Sequence, residues 1–372
     1  MDQPKALGAR RRARDFGLVL GQLTPGPNNA ITDVAGVRVG HVTLIAGDGA
    51  LVPGKGPVRT GVTAILPHSG NLFRQRVVAA VHTINGFGKP CGFEQVRELG
   101  VLETPIILTN TLNVGVAFDA LVSYMIQANP DLGITADTVG PVVGETNDGY
   151  LNDLQGRHVK PEHVFEAIQR ASAGPVAEGC VGAGTGTIAF GFKAGIGTAS
   201  RRLPPESGGF TVGALVQANF GAPKDLTIAG ARVGRALAEG VALPHDRGSA
   251  MVVLATDAPC SSRQLGRLAR RAVIGLARTG GASADRSGEF VVAFSTTNLR
   301  PRDGEGPAVE SRPMLIGEAQ VLPTLFQGVI ESAEEAVVNA LLRAEPMTGR
   351  DGHLAPALPI EPLRRLLGLP DL

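Results

Sequence analysis

The chain has 372 residues, 43% of them hydrophobic and 19% charged, with a formal net charge of +1. This composition excludes a disordered chain and supplies enough apolar side chain for a large core. Near-neutral charge and sparse aromatics (13 Phe, 2 Tyr, no Trp) argue against a nucleic-acid surface built on basic patches or base stacking.

The first 27 residues carry an arginine cluster, Arg10–Arg12 and Arg14, followed by only a short apolar run, Phe16–Leu20. That run is too short for a secretory signal, and the segment reads as a disordered basic tail. No run approaches 18 apolar residues, so no membrane span is expected. Cys91, Cys180 and Cys260 are odd in number and far apart. They read as reduced thiols of a cytoplasmic protein, not a disulfide framework or a zinc site. The 50 glycines have no fixed period, which points to tight turns and close backbone approaches.

Residues 31–45 are rich in β-branched side chains broken by glycine, as in a hairpin or meander. Gly61–Leu66 and Thr104–Thr109 read as buried strands. A helix is predicted from Asn113 to Gln127, with Val114, Phe118, Leu121 and Met125 on one face. Another opens at Lys160–Pro161 and runs to Ala173, since Pro suits the first helical turn. His158 and His163 are five apart, a spacing that does not place two metal ligands on one helix face, and no metal is expected.

The stretch 182–202 contains Gly184–Thr–Gly–Thr–Ile–Ala189, a degenerate dinucleotide fingerprint with Glu206 near the distance of a ribose-binding acid. A dinucleotide turn must open a helix, but Phe190–Gly–Phe–Lys–Ala–Gly–Ile–Gly197 follows, so paired glycine-rich strands are predicted and no cofactor. Phe210–Phe220 is a further strand, running into a turn at Gly221. Ser261–Ser262 caps a helix whose apolar face is Leu265, Leu268, Ala272 and Leu276. Its arginines (263, 267, 270, 271 and 278) read as a solvated face. Gly288–Asn298 is a strand, and Ala319–Ala344 a long helix. Residues 354–372, rich in Pro and Leu, are expected to pack on the surface or on a partner chain. No linker separates two cores, so residues 1–372 read as one α/β domain.

The candidate chemistry lies at Gly248–Ser249, where a turn runs straight into the apolar strand Ala250–Ala255. A serine hydroxyl needs a base. His245, four residues away, is one candidate, giving an ordinary Ser–His pair. The α/β-hydrolase arrangement would need a helix after the serine, and here a strand follows. In the other solution the Gly248–Ser249 bond breaks. Ser249 then becomes an N-terminus whose own α-amine, with an unperturbed pKa of about 7.7–8.0, serves as base.

Several motifs carry a resemblance over nearly the whole chain: Asn28–Val37, Gly86–Lys89, Ile107–Gly115, Gly144–Asp153, the 182–202 stretch, Gln217–Gly221, the Arg247–Gly248–Ser249 junction and Ser287–Gly288–Glu289. Together they resemble the DmpA family of self-processing L-aminopeptidase/D-esterase/amidases and β-peptidyl aminopeptidases. The resemblance implies a four-layer αββα sandwich, shared with ornithine acetyltransferases. It implies cleavage into 1–248 and 249–372 and a homo-oligomer of processed heterodimers. It also implies a small peptide, amide or ester substrate and no cofactor. By resemblance, Ser249 is the nucleophile, and Ser287 and Glu289 hold its amine and hydroxyl. Asn219 is an oxyanion donor, and Glu145 meets the substrate's free amine. A second oxyanion donor is left open between Asn147 and Tyr150. Two other functions stay open: an acyl transferase of the ornithine acetyltransferase type, and an unprocessed, non-enzymatic scaffold.

Overall fold

A computed structural model describes residues 10–237, 248–302 and 304–369. In chain order its strands and helices are β1 (Arg38–Ala46), β2 (Val58–Leu66), β3 (Gln75–Gly86), α1 (Phe93–Leu99), β4 (Val101–Leu102), β5 (Ile106–Asn110), α2 (Val114–Ala128), β6 (Val142–Thr146) and α3 (Pro161–Gln169). They continue with β7 (Ile188–Ala189), β8 (Phe192–Lys193), β9 (Ile196–Arg202), β10 (Thr211–Asn219), α4 (Gly234–Leu237), β11 (Gly248–Thr256), α5 (Ser262–Arg278), β12 (Ser287–Pro301), α6 (Glu318–Leu342), β13 (Met347–Thr348), β14 (Leu354–Ala355) and α7 (Ile360–Leu367).

Two sheets stack face to face. One has the order β1-β2-β5-β6, the other β4-β3-β12-β11-β10-β9. Strand alternation explains why β11 reads as continuously apolar. Met251, Val253 and Ala255 point into the layer between the sheets, with Ile65, Ile106 and Val142. Ala250, Val252 and Leu254 point the other way, under Leu265, Leu268, Leu325 and Val337 of α5 and α6. Val62, Ala64, Ile107 and Val143 face α2 and α3. The result is the expected four-layer αββα sandwich. Parallel pairs β11–β12 and β5–β6 are joined through α5 and α2, as parallel connections require.

Glycine lets these layers approach closely. A Cβ on Gly197 of β9 would lie 1.9 Å from the Ala336 carbonyl oxygen of α6. The helix backbone therefore rests directly on the strand.

Four local expectations need correction. In residues 31–45 only Arg38–Ala46 is a strand, and Ile31–Asp33 forms a 3₁₀ turn whose Ile31 N–H bonds to Thr198 Oγ1. The helix opened at Lys160 stops at Gln169, and Ser172 then pairs with Val39. Residues 1–9 lie outside the described residues, but from Arg10 onward the basic segment is folded. Arg12 donates to the carbonyls of Asn28, Asn29 and Thr198 at 2.7–2.8 Å, and Arg14 pairs with the buried Glu335 at 3.0 Å. Phe16, Leu18 and Leu20 are buried beside α6. The arginines of α5 are not simply solvated. Arg267 and Arg278 pair with Glu318 and Glu334 of α6 at 2.7 and 3.1 Å, and Arg271 stacks on Phe326. In both segments the partners are distant in sequence, so local composition could not reveal them. Residues 354–369 pack on the chain's own core through Leu358 and Leu363.

Candidate active site

Ser249 is the second residue of β11, paired with Asn219 of antiparallel β10 on one side and with Gly288 of parallel β12 on the other. It lies in the middle of the six-stranded sheet, so its backbone is held from both sides. Its side chain is 5% exposed. Two N–H groups meet at Oγ: the side-chain amide Nδ2 of Asn219 at 3.0 Å and the main-chain N–H of Asn147 at 3.3 Å. Asn219 Oδ1 accepts from the Ile188 N–H at 3.0 Å, which sets the amide's orientation. The same Nδ2 donates to the Asn147 carbonyl at 3.0 Å.

Beside Gly248, on β12, Ser287 Oγ donates to Glu289 Oε1 at 2.6 Å. Both residues are almost fully buried, and Glu289 Oε2 has no hydrogen-bond partner. A Cβ on Gly248 would come within 2.9 Å of Ser287 Oγ, so this hydroxyl lies against the Gly248–Ser249 junction. An unpartnered buried carboxylate oxygen is costly. A cationic or N–H group arriving at that junction would satisfy it.

A cavity of about 920 Å3 opens over Ser249, and its walls include Glu145, Asn147, Tyr150, Asn219 and Arg350. Glu145 is on β6, 4% exposed, and accepts from the Lys89 N–H at 3.0 Å. Burial raises its pKa above the ordinary carboxylate range, against the lowering effect of the Lys89 N–H. Gly88 makes this contact possible, since a Cβ there would press on the Phe290 ring and on Glu145 Oε1. A buried carboxylate at the wall of a cavity favours a cationic guest, because pairing recovers the cost of burying its charge.

The loop after β6 carries both Asn147 and Tyr150, and the structure gives them different positions. Asn147 presents its main-chain N–H to Ser249, while its side-chain Oδ1 accepts from Gly149. Tyr150 stacks on His353, with ring centroids 4.5 Å apart. Asp148, 1% exposed, sits beneath them and accepts from Asn152 Nδ2 at 3.0 Å. Burial pushes its pKa up to about 7. Neither Asp148 nor Arg350 was singled out from the sequence. Asp148 lies inside the Gly144–Asp153 motif, but nothing local marks it as buried. Arg350 donates to the Gly149 carbonyl at 2.8 Å from 201 residues away.

The structure thus brings together Ser249, Asn219, Asn147, Ser287, Glu289 and Glu145. His245 and Arg247 lie outside the described residues. His158 bonds to Asp153 at 2.9 Å, and His163 accepts from the Lys160 N–H, away from this cavity. Among the described residues no three His, Cys, Asp or Glu side chains are grouped to hold a metal, and no helix is long and apolar enough to cross a membrane. Gly184–Ala189 opens the short pair β7–β8, in line with paired glycine-rich strands.

Comparison with known proteins places the chain as a whole. The sequence model described as peptidase family S58 matches residues 29–355. The protein called beta-peptidyl aminopeptidase BapA from Sphingosinicella microcystinivorans is 45% identical over 373 residues, covering 96% of this chain and 91% of its own. Among solved structures, the PH0078 protein from Pyrococcus horikoshii OT3 is 51% identical with a TM-score of 0.91, covering 96% of this chain and 99% of that one. The L-aminopeptidase D-Ala-esterase/amidase from Ochrobactrum anthropi is 43% identical with a TM-score of 0.89, covering 96% and 98%. That structure is described as a prototype for the serine aminopeptidases and a new variant among the Ntn hydrolase fold.

Proposed function

Because this chain belongs to peptidase family S58 and is a peptide-bond hydrolase of the aminopeptidase type, we propose that Ser249 is its nucleophile twice over, first on its own chain and then on substrate. The observation that carries this reading is the convergence of the Asn219 amide and the Asn147 main-chain N–H on Ser249 Oγ.

In the first reaction Oγ attacks the Gly248 carbonyl carbon and the Gly248–Ser249 C–N bond breaks. Water then hydrolyses the resulting ester. The products are chains 1–248 and 249–372, the second beginning with a free α-amine on Ser249. The two stay together, because β11 and β12 of the small chain lie hydrogen-bonded between β10 and β3 of the large one. By resemblance, such heterodimers assemble further into a homo-oligomer. The three cysteines, none bonded to another, support a cytoplasmic location.

In the second reaction the α-amine takes the Oγ proton as Oγ attacks the substrate carbonyl. Ser287 Oγ and the unpartnered Glu289 Oε2 hold that amine in place. Asn219 Nδ2 and the Asn147 N–H receive the negative charge that develops on the carbonyl oxygen. The leaving amine takes the proton, and water releases the acyl group by the reverse sequence. Glu145 binds the substrate's free α- or β-amine, and Tyr150 forms part of the cavity wall. No step calls on a metal or a cofactor.

The test is to assay purified protein on short peptides, free and N-acetylated, and on acetylornithine with ornithine. Release of the N-terminal residue from free-amine substrates alone is expected, with fragments 1–248 and 249–372 on a denaturing gel. Acetyl transfer to ornithine in place of hydrolysis would establish the transferase alternative. An intact, inactive chain would establish the scaffold.

A further inference from the structure

Lys193 is a buried cation that the chemistry above does not use. Its side chain is fully buried at the end of β8, in the glycine-rich stretch. Its Nζ donates to three main-chain carbonyls: Thr187 at 2.9 Å, Gly184 at 3.2 Å, and Ala194. An ammonium has three N–H groups and a neutral amine two, so three acceptors select the charged form. Burial holds its pKa below the ordinary lysine value, and neighbouring Cys180 and Asp148 offset only part of that.

One of these carbonyls belongs to a peptide group that also touches the site. The Thr187 carbonyl accepts from Lys193, and the N–H of the same peptide unit, on Ile188, donates to Asn219 Oδ1 at 3.0 Å. With Oδ1 committed there, Asn219 must turn Nδ2 toward Ser249 Oγ. A positive charge on a carbonyl polarises its peptide and makes its N–H a stronger donor. We propose that Lys193 is a positioning residue for catalysis: through the Thr187–Ile188 peptide it fixes the orientation of the Asn219 side-chain amide, so that Nδ2, and not Oδ1, is turned to Ser249 Oγ and to the carbonyl oxygen of the group that Oγ attacks. This rests on the reading of Asn219 as an oxyanion donor.

A purely structural role for Lys193 makes a different forecast. The loop keeps other bonds without it: Thr187 O also accepts from the Ala194 N–H, and Gly184 O from the Thr187 hydroxyl. Lys193→Met, nearly isosteric and uncharged, is therefore expected to fold.

The experiment is a double-mutant cycle with Asn219→Ala, read as kcat and KM per mole of processed chain. Removing an oxyanion donor costs about 10²–10³-fold in kcat, so misaligning it should cost a part of that, about 10–100-fold, with KM unchanged. In the Asn219→Ala background Lys193→Met should cost nothing further. If a variant folds but cleaves itself too slowly to yield processed enzyme, the rate of self-cleavage replaces kcat in the same cycle. If Lys193→Met does not fold, Lys193→Gln, which keeps two N–H donors, replaces it with a smaller expected loss and the same non-additivity. Additive losses, a change confined to KM, or failure of both variants to fold would each overturn the proposal. Full activity of Asn219→Ala alone would instead refute the reading of Asn219 on which it rests.

Discussion

Asn219 and Ser249 are directly opposite each other across the antiparallel pair of β10 and β11, and the Asn219 amide donates to Ser249 Oγ over 3.0 Å. Thirty residues of chain separate them, yet the sheet register leaves neither freedom to drift. The amide is therefore oriented before any substrate arrives, which is what the oxyanion role proposed for Asn219 requires.

Ser249→Ala removes the attacking hydroxyl and should leave a single chain of 372 residues on a denaturing gel. Wild-type protein from the same cells should give the two fragments. Two fragments from the alanine variant in protease-deficient cells would assign the cut to another enzyme.

Glu145→Gln keeps the shape of the cavity wall and removes its charge. A charge-assisted hydrogen bond to an amine is worth about 1.5–3 kcal/mol, so kcat/KM for free-amine peptides should fall about 10–100-fold. N-acetylated peptides should be poor substrates for both forms. Equal rates of wild-type enzyme on free and acetylated peptides would show that no amine is recognised.

The base can be read from the pH profile of kcat/KM on processed enzyme. An α-amine base puts the ascending limb near or above about 7.7–8.0, since a neighbouring carboxylate favours the protonated form. A histidine base puts it near 6.5. His245→Ala should keep most of its activity, and Glu289→Gln should lose about 10²-fold or more. A processed but inactive His245→Ala would exclude the α-amine as base.

Burial raises the folded-state pKa of Asp148 from 3.8 to about 7. The folded state therefore holds this proton more tightly than the unfolded chain does. Its stabilising effect is full below pH 3.8 and is lost as pH rises through about 7. Stability should fall across that window by at most about 1.4 kcal/mol per pH unit from this group. Glu178, likewise raised to about 7 by burial, adds a similar slope. Asp148→Asn should therefore make Tm fall less steeply between pH 5 and pH 7 than it does in the wild-type protein. An unchanged slope would mean that Asp148 does not titrate in this range.

Much of the fold was legible because local patterns encode it. The continuous apolar run of β11 marks a strand buried on both faces, and Ser261 with Gln264 forms the capping box that starts α5. The long helix α6, at 318–342, falls within two residues of its expected ends at 319 and 344. The motifs around Gly144–Asp153 and Ser287–Glu289 pointed to the residues that line the site. Less was legible where the deciding partner is remote. Arg201 is fully buried between Glu331 and Glu335, at 2.9 and 2.6 Å, and only α6 lying across β9 explains a charge there.

By itself the sequence determined many of the strands and helices, the Gly248–Ser249 turn at the mouth of a buried strand, and the family to which those motifs belong. Those features depend on periodicity, turn chemistry and caps within a few residues of chain. Only the tertiary structure decided that Asn147 offers its main-chain N–H, that Tyr150 stacks on His353 instead of reaching Ser249, that Glu289 keeps a free oxygen beside Gly248, and that Lys193 stands behind Asn219. Each of those relations joins groups brought together by sheet register and layer packing. A main-chain N–H in particular has no residue identity for a sequence to display.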